Sequence, residues 1–156
     1  MAGPGRVEFR EAVDADLPGI LSLLADDAVA LARGGYAAGA TPQVVEAFAA
    51  IQRDPNNLLL VGEQGGDVVA VLQMTLIPGL SRGGMRRALV EAVRVRQDLR
   101  SFGIGAALMQ HAIVRARQEG CGLMQLTSDK QRTRAHDFYV RLGFVASHEG
   151  MKLALD

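Results

Sequence analysis

The 156-residue chain predicts one α/β domain, residues 1–156, with a mixed, twisted sheet covered by helices on both faces. Three observations point there. Strand-sized apolar runs, Leu58 to Val61 and Val68 to Leu72 among them, are interspersed with segments of helical apolar spacing, the pattern of a sheet packed under helices. Helix boundaries are marked by Thr41-Pro42 at a start and by Gly120 and Gly143 just past two ends. No linker, repeat or low-complexity stretch divides the chain, and its length suits one domain with a real core.

Val7 to Ala12 alternates as a first strand. Asp14 then stands where an N-cap belongs, before the helical stripe Leu17, Ile20, Leu21 and Leu24. Asp26 to Ala40 is rich in Ala and Gly and reads as a loop or broken helix carrying Tyr36. A second helix runs from Thr41-Pro42 through Val44, Val45, Phe48 and Ile51 to Asp54-Pro55. Leu58 to Glu63 and Asp67 to Ile77 flank Gln64-Gly65-Gly66 as a hairpin. After the glycine-rich loop Pro78 to Gly84, Arg87 to Val95 reads as a fourth strand with Leu89, Glu91, Val93 and Val95 on one face. Gly103 to Glu119 is a helix, Leu123 to Thr127 a fifth strand and Arg132 to Leu142 a helix. Phe144 onward returns as a last strand or hairpin ending near Leu155.

Hydrophobic residues make up 49% of the chain and charged residues 22%, a folded composition. No apolar run approaches the roughly 20 residues that cross a bilayer, and Met1 to Arg10 lacks a secretory core. A single cysteine, Cys121, fits a reducing compartment, so the expectation is a cytoplasmic protein with no membrane partner. Arginine far outnumbers lysine, and Gly and Ala are abundant, which suggests a bacterial source. Net charge is zero, which argues against nucleic acid as a partner. Charge is nonetheless segregated: residues 8–67 hold ten acids and three arginines, residues 68–156 thirteen bases and seven acids. The three histidines and Cys121 have no metal-ligand spacing, so no metal is expected.

The most specific feature is the junction from Val93 to Gly105, where a strand enters a turn that opens a helix. First-turn N–H groups lack intrahelical partners, and the helix dipole favours an anion there. Gly103 and Gly105 let a phosphate approach the backbone, and Arg100 adds a two-pronged donor. No lysine follows these glycines as in a P-loop, and the Gly-x-Gly-x-x-Gly dinucleotide pattern is missing.

With Arg100-Ser101-Phe102-Gly103-Ile104-Gly105 and, downstream, Ala135-His136-Asp137-Phe138-Tyr139-Val140-Arg141-Leu142-Gly143-Phe144, the chain resembles the GCN5-related N-acetyltransferases (GNAT). The first segment matches the family's Arg/Gln-x-x-Gly-x-Gly/Ala signature and the second its Ala-x-x-Phe-Tyr-x-x-x-Gly-Phe stretch. The resemblance implies a mixed sheet of six to seven strands and acetyl-CoA as co-substrate. Coenzyme contacts are implied at Val93, Arg94 and Val95, whose backbone would pair with the pantetheine arm. They are also implied at Arg100, Ser101, Phe102, Gly103, Ile104, Gly105 and Ala106 around the pyrophosphate, and at Arg132 and Phe138. Arg132 stands where the family often has asparagine.

Acetyl transfer from a thioester to an amine needs a donor for the oxyanion, a neutral amine and a proton for the leaving thiolate. By resemblance, the Val95 N–H points at the thioester carbonyl and Tyr139 protonates the thiolate; the alternative for Tyr139 is a packed helix aromatic. Glu91, a carboxylate among apolar strand neighbours, is the candidate base, against an outward-facing glutamate or an ion pair with Arg87 or Arg94. His111 reads as a core histidine, His136 and His148 as surface residues, and Cys121 as a small packed residue rather than a nucleophile. Direct attack is therefore expected. The acceptor is an amine of a small molecule or peptide: the acidic first half suits a cationic amine, whereas Arg82, Arg86 and Arg87 suit one carrying a carboxylate or phosphate. A non-catalytic acyl-CoA sensor and a nucleotide-binding protein are the other functions considered. The family makes a homodimer possible.

Overall fold

A computed structural model describes residues 5–27 and 39–155. The loop reading for Asp26 to Ala40, with Tyr36, therefore lies largely outside the described residues. The chain divides into two units, Met1–Gln125 and Leu126–Asp156.

The first unit carries a five-stranded sheet in the order β1-β2-β3-β4-β5. These strands are β1 (Glu8–Glu11), β2 (Asn57–Gln64), β3 (Asp67–Ile77), β4 (Arg86–Val95) and β5 (Cys121–Leu126), the last crossing the unit boundary by one residue. Neighbours from β1 to β4 pair antiparallel, and β5 is reached by a helical crossover, the connection a parallel neighbour requires. The β2–β3 hairpin turns at Gly65 (φ 59°) and Gly66 (φ 89°), the two positive values that a two-residue I′ turn demands. Helix α1 (Leu17–Ala25) follows a single 3₁₀ turn, Asp14–Asp16; α2 is Pro42–Arg53 and α3 is Ile104–Gln118. Thr41 caps α2 as its spacing predicts, its side chain accepting from Val44 N at 3.3 Å.

Register sorts side chains onto two faces. Phe9 and Glu11 share a face with Leu60, Leu72, Met74, Ala88 and Val90. Helix α3 covers it: His111 lies 5.8 Å from Phe9 between ring centroids, and Arg115 pairs with Glu11 at 2.8 Å. Leu108, Met109 and Ala112 are fully buried. On the other face, Ile20 and Leu23 of α1 and Phe48 of α2 pack on Val61 and Val71. Gly19 brings α1 close, since a Cβ there would lie 2.9 Å from the Val68 Cβ. Residues Val69 to Leu72 of β3 are buried on both faces, whereas from Gln73 the strand alternates half-buried polar and buried apolar residues. The helices' apolar cover thus ends partway along β3.

Two local expectations change. Asp14 is not the cap of α1: it lies inside the 3₁₀ turn, and Asp16 reaches back to accept from Val13 N at 2.8 Å. Buried Asp16 also receives both Arg10 guanidinium nitrogens, Nη1 at 2.6 Å and Nη2 at 3.0 Å. Strand β5 begins at Cys121 rather than Leu123.

The second unit holds α4 (Thr133–Arg141). The expected last strand is not formed: no strand is present among described residues 144–155, so the sheet has five strands rather than six to seven. Met151, Leu153 and Leu155 are 88%, 85% and 92% exposed. Their alternation suits a strand, but a strand exists only where a neighbour completes its ladder.

Candidate functional site

Strand β4 carries the first unusual backbone. Glu91 pairs with Gln73 and Arg94 with Val71, so Ala92 and Val93 together oppose Leu72. This is a β-bulge. Ala92 adopts φ 54°, a left-handed conformation uncommon for a residue with a Cβ. The bulge overturns the expectation that Leu89, Glu91, Val93 and Val95 share a face: Leu89 and Glu91 lie on the α1 face, whereas Val95, opposite Ala70, lies on the α3 face. Arg94 takes the α1 face instead. Buried Asp27, just past α1, forms a close ion pair with the Arg94 Nη2, while Nη1 donates to Val93 O at 2.8 Å. The Nε of Arg94 is buried without a hydrogen-bond partner.

Beyond the bulge, Arg96 N donates to Val69 O at 2.8 Å. Antiparallel alternation therefore directs the N–H and C=O of Val95 to the edge away from β3. Arg96 also pairs with Asp98 at 2.7 Å. After the turn Gln97–Leu99, Arg100 folds back and donates from Nε to Val95 O at 3.1 Å, with Nη2 3.8 Å from Asp26. Ser101 at φ 69° and Gly103 at φ 82° then wind the chain into α3. Gly103 is the N-cap and supplies no side-chain cap, so no side chain takes up the first N–H groups of α3. Nothing lies within 4 Å of where a Gly103 Cβ would stand. A phosphate-bearing ligand fits this end on both counts: donors without side-chain partners and open space beside them. Ile104 is buried, Gly105 and Ala106 half-buried, and Phe102 exposed. An open groove of about 260 Å³ lies alongside, lined by Val7, Phe9, Phe102, Gly103 and Ala107 among others.

Glu91 is exposed and takes part in no ion pair or hydrogen bond with the described residues. The structural pairing considered from sequence is not made. Arg94 is committed to Asp27, and Arg87 Nη1 donates to Gln125 Oε1 at 3.2 Å. Arg86 bridges Glu119 O and Asn56 Oδ1 at 2.8 and 2.7 Å, a structural tie that removes it from the anion-binding candidates. Beside Glu91 lies a polar row that the sequence reading missed. Asn57 Oδ1 accepts from Gln73 Nε2 at 3.2 Å and Thr75 Oγ1 at 2.9 Å, and Asn57 Nδ2 donates to Asp54 Oδ2 at 2.7 Å. Its signal was the alternation Gln73-Met74-Thr75 after an unbroken apolar run. Half-buried Cys121 has its thiol pushed up by burial, the wrong direction for a nucleophile.

In the second unit, the Phe-Tyr and Gly-Phe pairs form one aromatic group. Gly143 at φ 98° ends α4 and turns the chain so that Phe144 N donates to Tyr139 O at 3.0 Å. The Tyr139 ring meets Phe138 at 5.1 Å and Phe144 at 5.8 Å, both edge-to-face. Arg132 precedes α4 and is half-buried. His136 Nε2 is 2.8 Å from Asp129 O and half-buried, not simply a surface residue. Among the described residues no three His, Cys, Asp or Glu side chains cluster as a metal site, and no helix is long and apolar enough to cross a membrane.

The first unit is thus an α/β frame in which a bulged strand delivers an uncapped helix N-terminus. Residues 23–144 match the model of the Acetyltransferase (GNAT) family, and the chain belongs to that family. It is 32% identical over 103 residues to an aminoalkylphosphonate N-acetyltransferase of Salmonella typhimurium, covering 66% of each chain. It is 31% identical over 90 residues to a Trypanosoma brucei glucosamine 6-phosphate N-acetyltransferase, covering 58% of this chain and 59% of that one. The chain spans less than two thirds of either relative. A solved structure from Bacillus halodurans, described as a transcriptional regulator, superposes with a TM-score of 0.91 at 43% identity, over 96% of this chain and all of the other.

Proposed function

We propose that this protein is an N-acetyltransferase that moves an acetyl group from acetyl-CoA to an amine of a small molecule by direct attack. The carrying observation is the uncapped, open N-terminus of α3 behind the β4 bulge, in a chain of a family that uses acetyl-CoA as co-substrate. Acetyl-CoA brings the reactive thioester; the rest falls to the chain. The N–H groups from Gly103 to Ala106 and the Arg100 guanidinium bind the pyrophosphate, which requires Arg100 to leave the Val95 carbonyl. The Val95 backbone, directed away from β3, pairs with the pantetheine arm and offers its N–H to the developing oxyanion. Glu91, without a partner of its own, takes the amine proton. Tyr139 is assigned the proton for the thiolate on the family motif alone, as are the contacts of Phe138 and Arg132. Residues 1–156 act as one catalytic domain, a reading supported by a family match that takes in residues of both units.

Amines bearing phosphonate or phosphate head the acceptor classes, because both N-acetyltransferase relatives are named for such substrates. Exposed Arg82 and half-buried Arg87 remain to meet that anion. The test follows free thiol during incubation of the protein and acetyl-CoA with 2-aminoethylphosphonate, glucosamine 6-phosphate and spermidine. Thiol released above hydrolysis with one of these supports the reading. Coenzyme binding without release supports instead the acyl-CoA-binding regulatory module, the second reading, favoured by the relative described as a transcriptional regulator. Tyr139→Phe should lower kcat at least tenfold while leaving the acetyl-CoA KM within about twofold; unchanged turnover assigns Tyr139 to packing.

A further inference from the structure

Glu91 and Gln73 stand directly opposite each other in the β3–β4 register, on the face that α1 and α2 cover only in part. Opposite residues of an antiparallel pair hold their Cβ atoms about 5 Å apart, so the two side-chain ends reach one small group. The hydrogen bonds around Gln73 decide which end of its amide is available. Asp54 Oδ2 accepts from Asn57 Nδ2 at 2.7 Å, and a carboxylate only accepts; this assigns Asn57 Oδ1 as the oxygen. That oxygen receives Gln73 Nε2 at 3.2 Å and Thr75 Oγ1 at 2.9 Å. The Gln73 nitrogen is thereby held on Asn57, and its Oε1 has no hydrogen-bond partner among the described residues. Asp54 is itself held, its Oδ1 accepting from Asn56 N at 2.8 Å.

We propose that Gln73 is a specificity-determining residue of the acetyl-transfer reaction. Its Oε1, oriented by Asp54 through Asn57, and the Glu91 carboxylate together bind the acceptor as a primary ammonium ion. An ammonium carries three donors, and two acceptors side by side with no donor between them select it over a neutral amide or hydroxyl nitrogen-free analogue. Glu91 then takes one proton, while Gln73, which cannot ionise, keeps hold of the resulting amine through a second N–H. This assignment rests on the acetyltransferase reading and adds to it the protonation state in which the acceptor arrives.

The experiment compares wild type with Gln73→Met, equal in length but without the acceptor, using 2-aminoethylphosphonate, glucosamine 6-phosphate and spermidine. The acceptor KM should rise about tenfold with the acetyl-CoA KM within about twofold. A parallel rise in both constants, or an acceptor KM that does not move, overturns the proposal. Should Gln73→Met fail to fold, Gln73→Glu serves: it retains an oxygen acceptor, so its acceptor KM should stay within about threefold of wild type, and a tenfold rise counts against the inference. A wild type that acetylates none of the amines removes the underlying reading and this inference with it, whereas wild-type turnover with unaffected variants removes the inference alone.

Discussion

Asp16 shows how one buried carboxylate organises the start of the fold. It accepts two bonds from Arg10 and one from Val13 N, and the Arg10 hydrogen bonds hold its carboxyl below the usual carboxylate range despite burial. A depressed folded-state pKa adds stability above the unfolded value, about 3.9, and that stability is lost as pH falls through the lower, folded value. Asp16→Asn should therefore cost about 2 kcal/mol at pH 7, with the gap to wild type closing below about pH 4, as denaturant melts at several pH values would show. At the same scale, residue type was legible where chemistry is local. Arg100, Gly103 and Gly105 announced an anion site from their order alone, because the helix N-terminus they build needs nothing distant. Glu91 was legible as a carboxylate out of place. Its freedom was not, since that depends on Asp27, remote in sequence, occupying Arg94.

Elements were read well where caps and turns define them. Thr41-Pro42, Gly65-Gly66, Gly120 and Gly143 each act within a few residues, and each ends or begins an element where expected. The failures are elements whose existence depends on partners. Residues 144–155 carry a strand pattern without a ladder, and the polar row of Asn57, Gln73 and Thr75 emerges only when three segments are set in register. Helix α1 gives a sharp test of packing. Gly19→Ala gains helix propensity of about 1 kcal/mol, yet its Cβ would stand 2.9 Å from Val68 Cβ, an overlap costing about 1–3 kcal/mol. The second effect should win, giving a net loss near 1 kcal/mol in urea titrations. A stabilised variant would mean that α1 shifts freely over β3.

For the whole molecule, the segregation of charge seen in sequence meets the fold at the β4–α3 junction. Acids of the first half hold arginines of the second: Asp27 with Arg94, Asp26 with Arg100 and Glu11 with Arg115. The basic half is therefore partly neutralised from within, and Arg100, half-exposed and 3.8 Å from Asp26, is the cation held most loosely of these three. As one catalytic domain, the protein should unfold in a single calorimetric transition with equal van't Hoff and calorimetric enthalpies; two resolved transitions would separate the units as independent domains. The bulge at Ala92 carries a further consequence, because it works as a reading frame for the strand. Removing that one residue would let β4 run regularly and exchange the layers of all that follows, sending the Arg94 charge toward α3 and Val95 toward α1. A protein with Ala92 deleted should thus lose coenzyme binding even though every residue named as a coenzyme contact is still in its sequence, and calorimetric titration with coenzyme A would measure it.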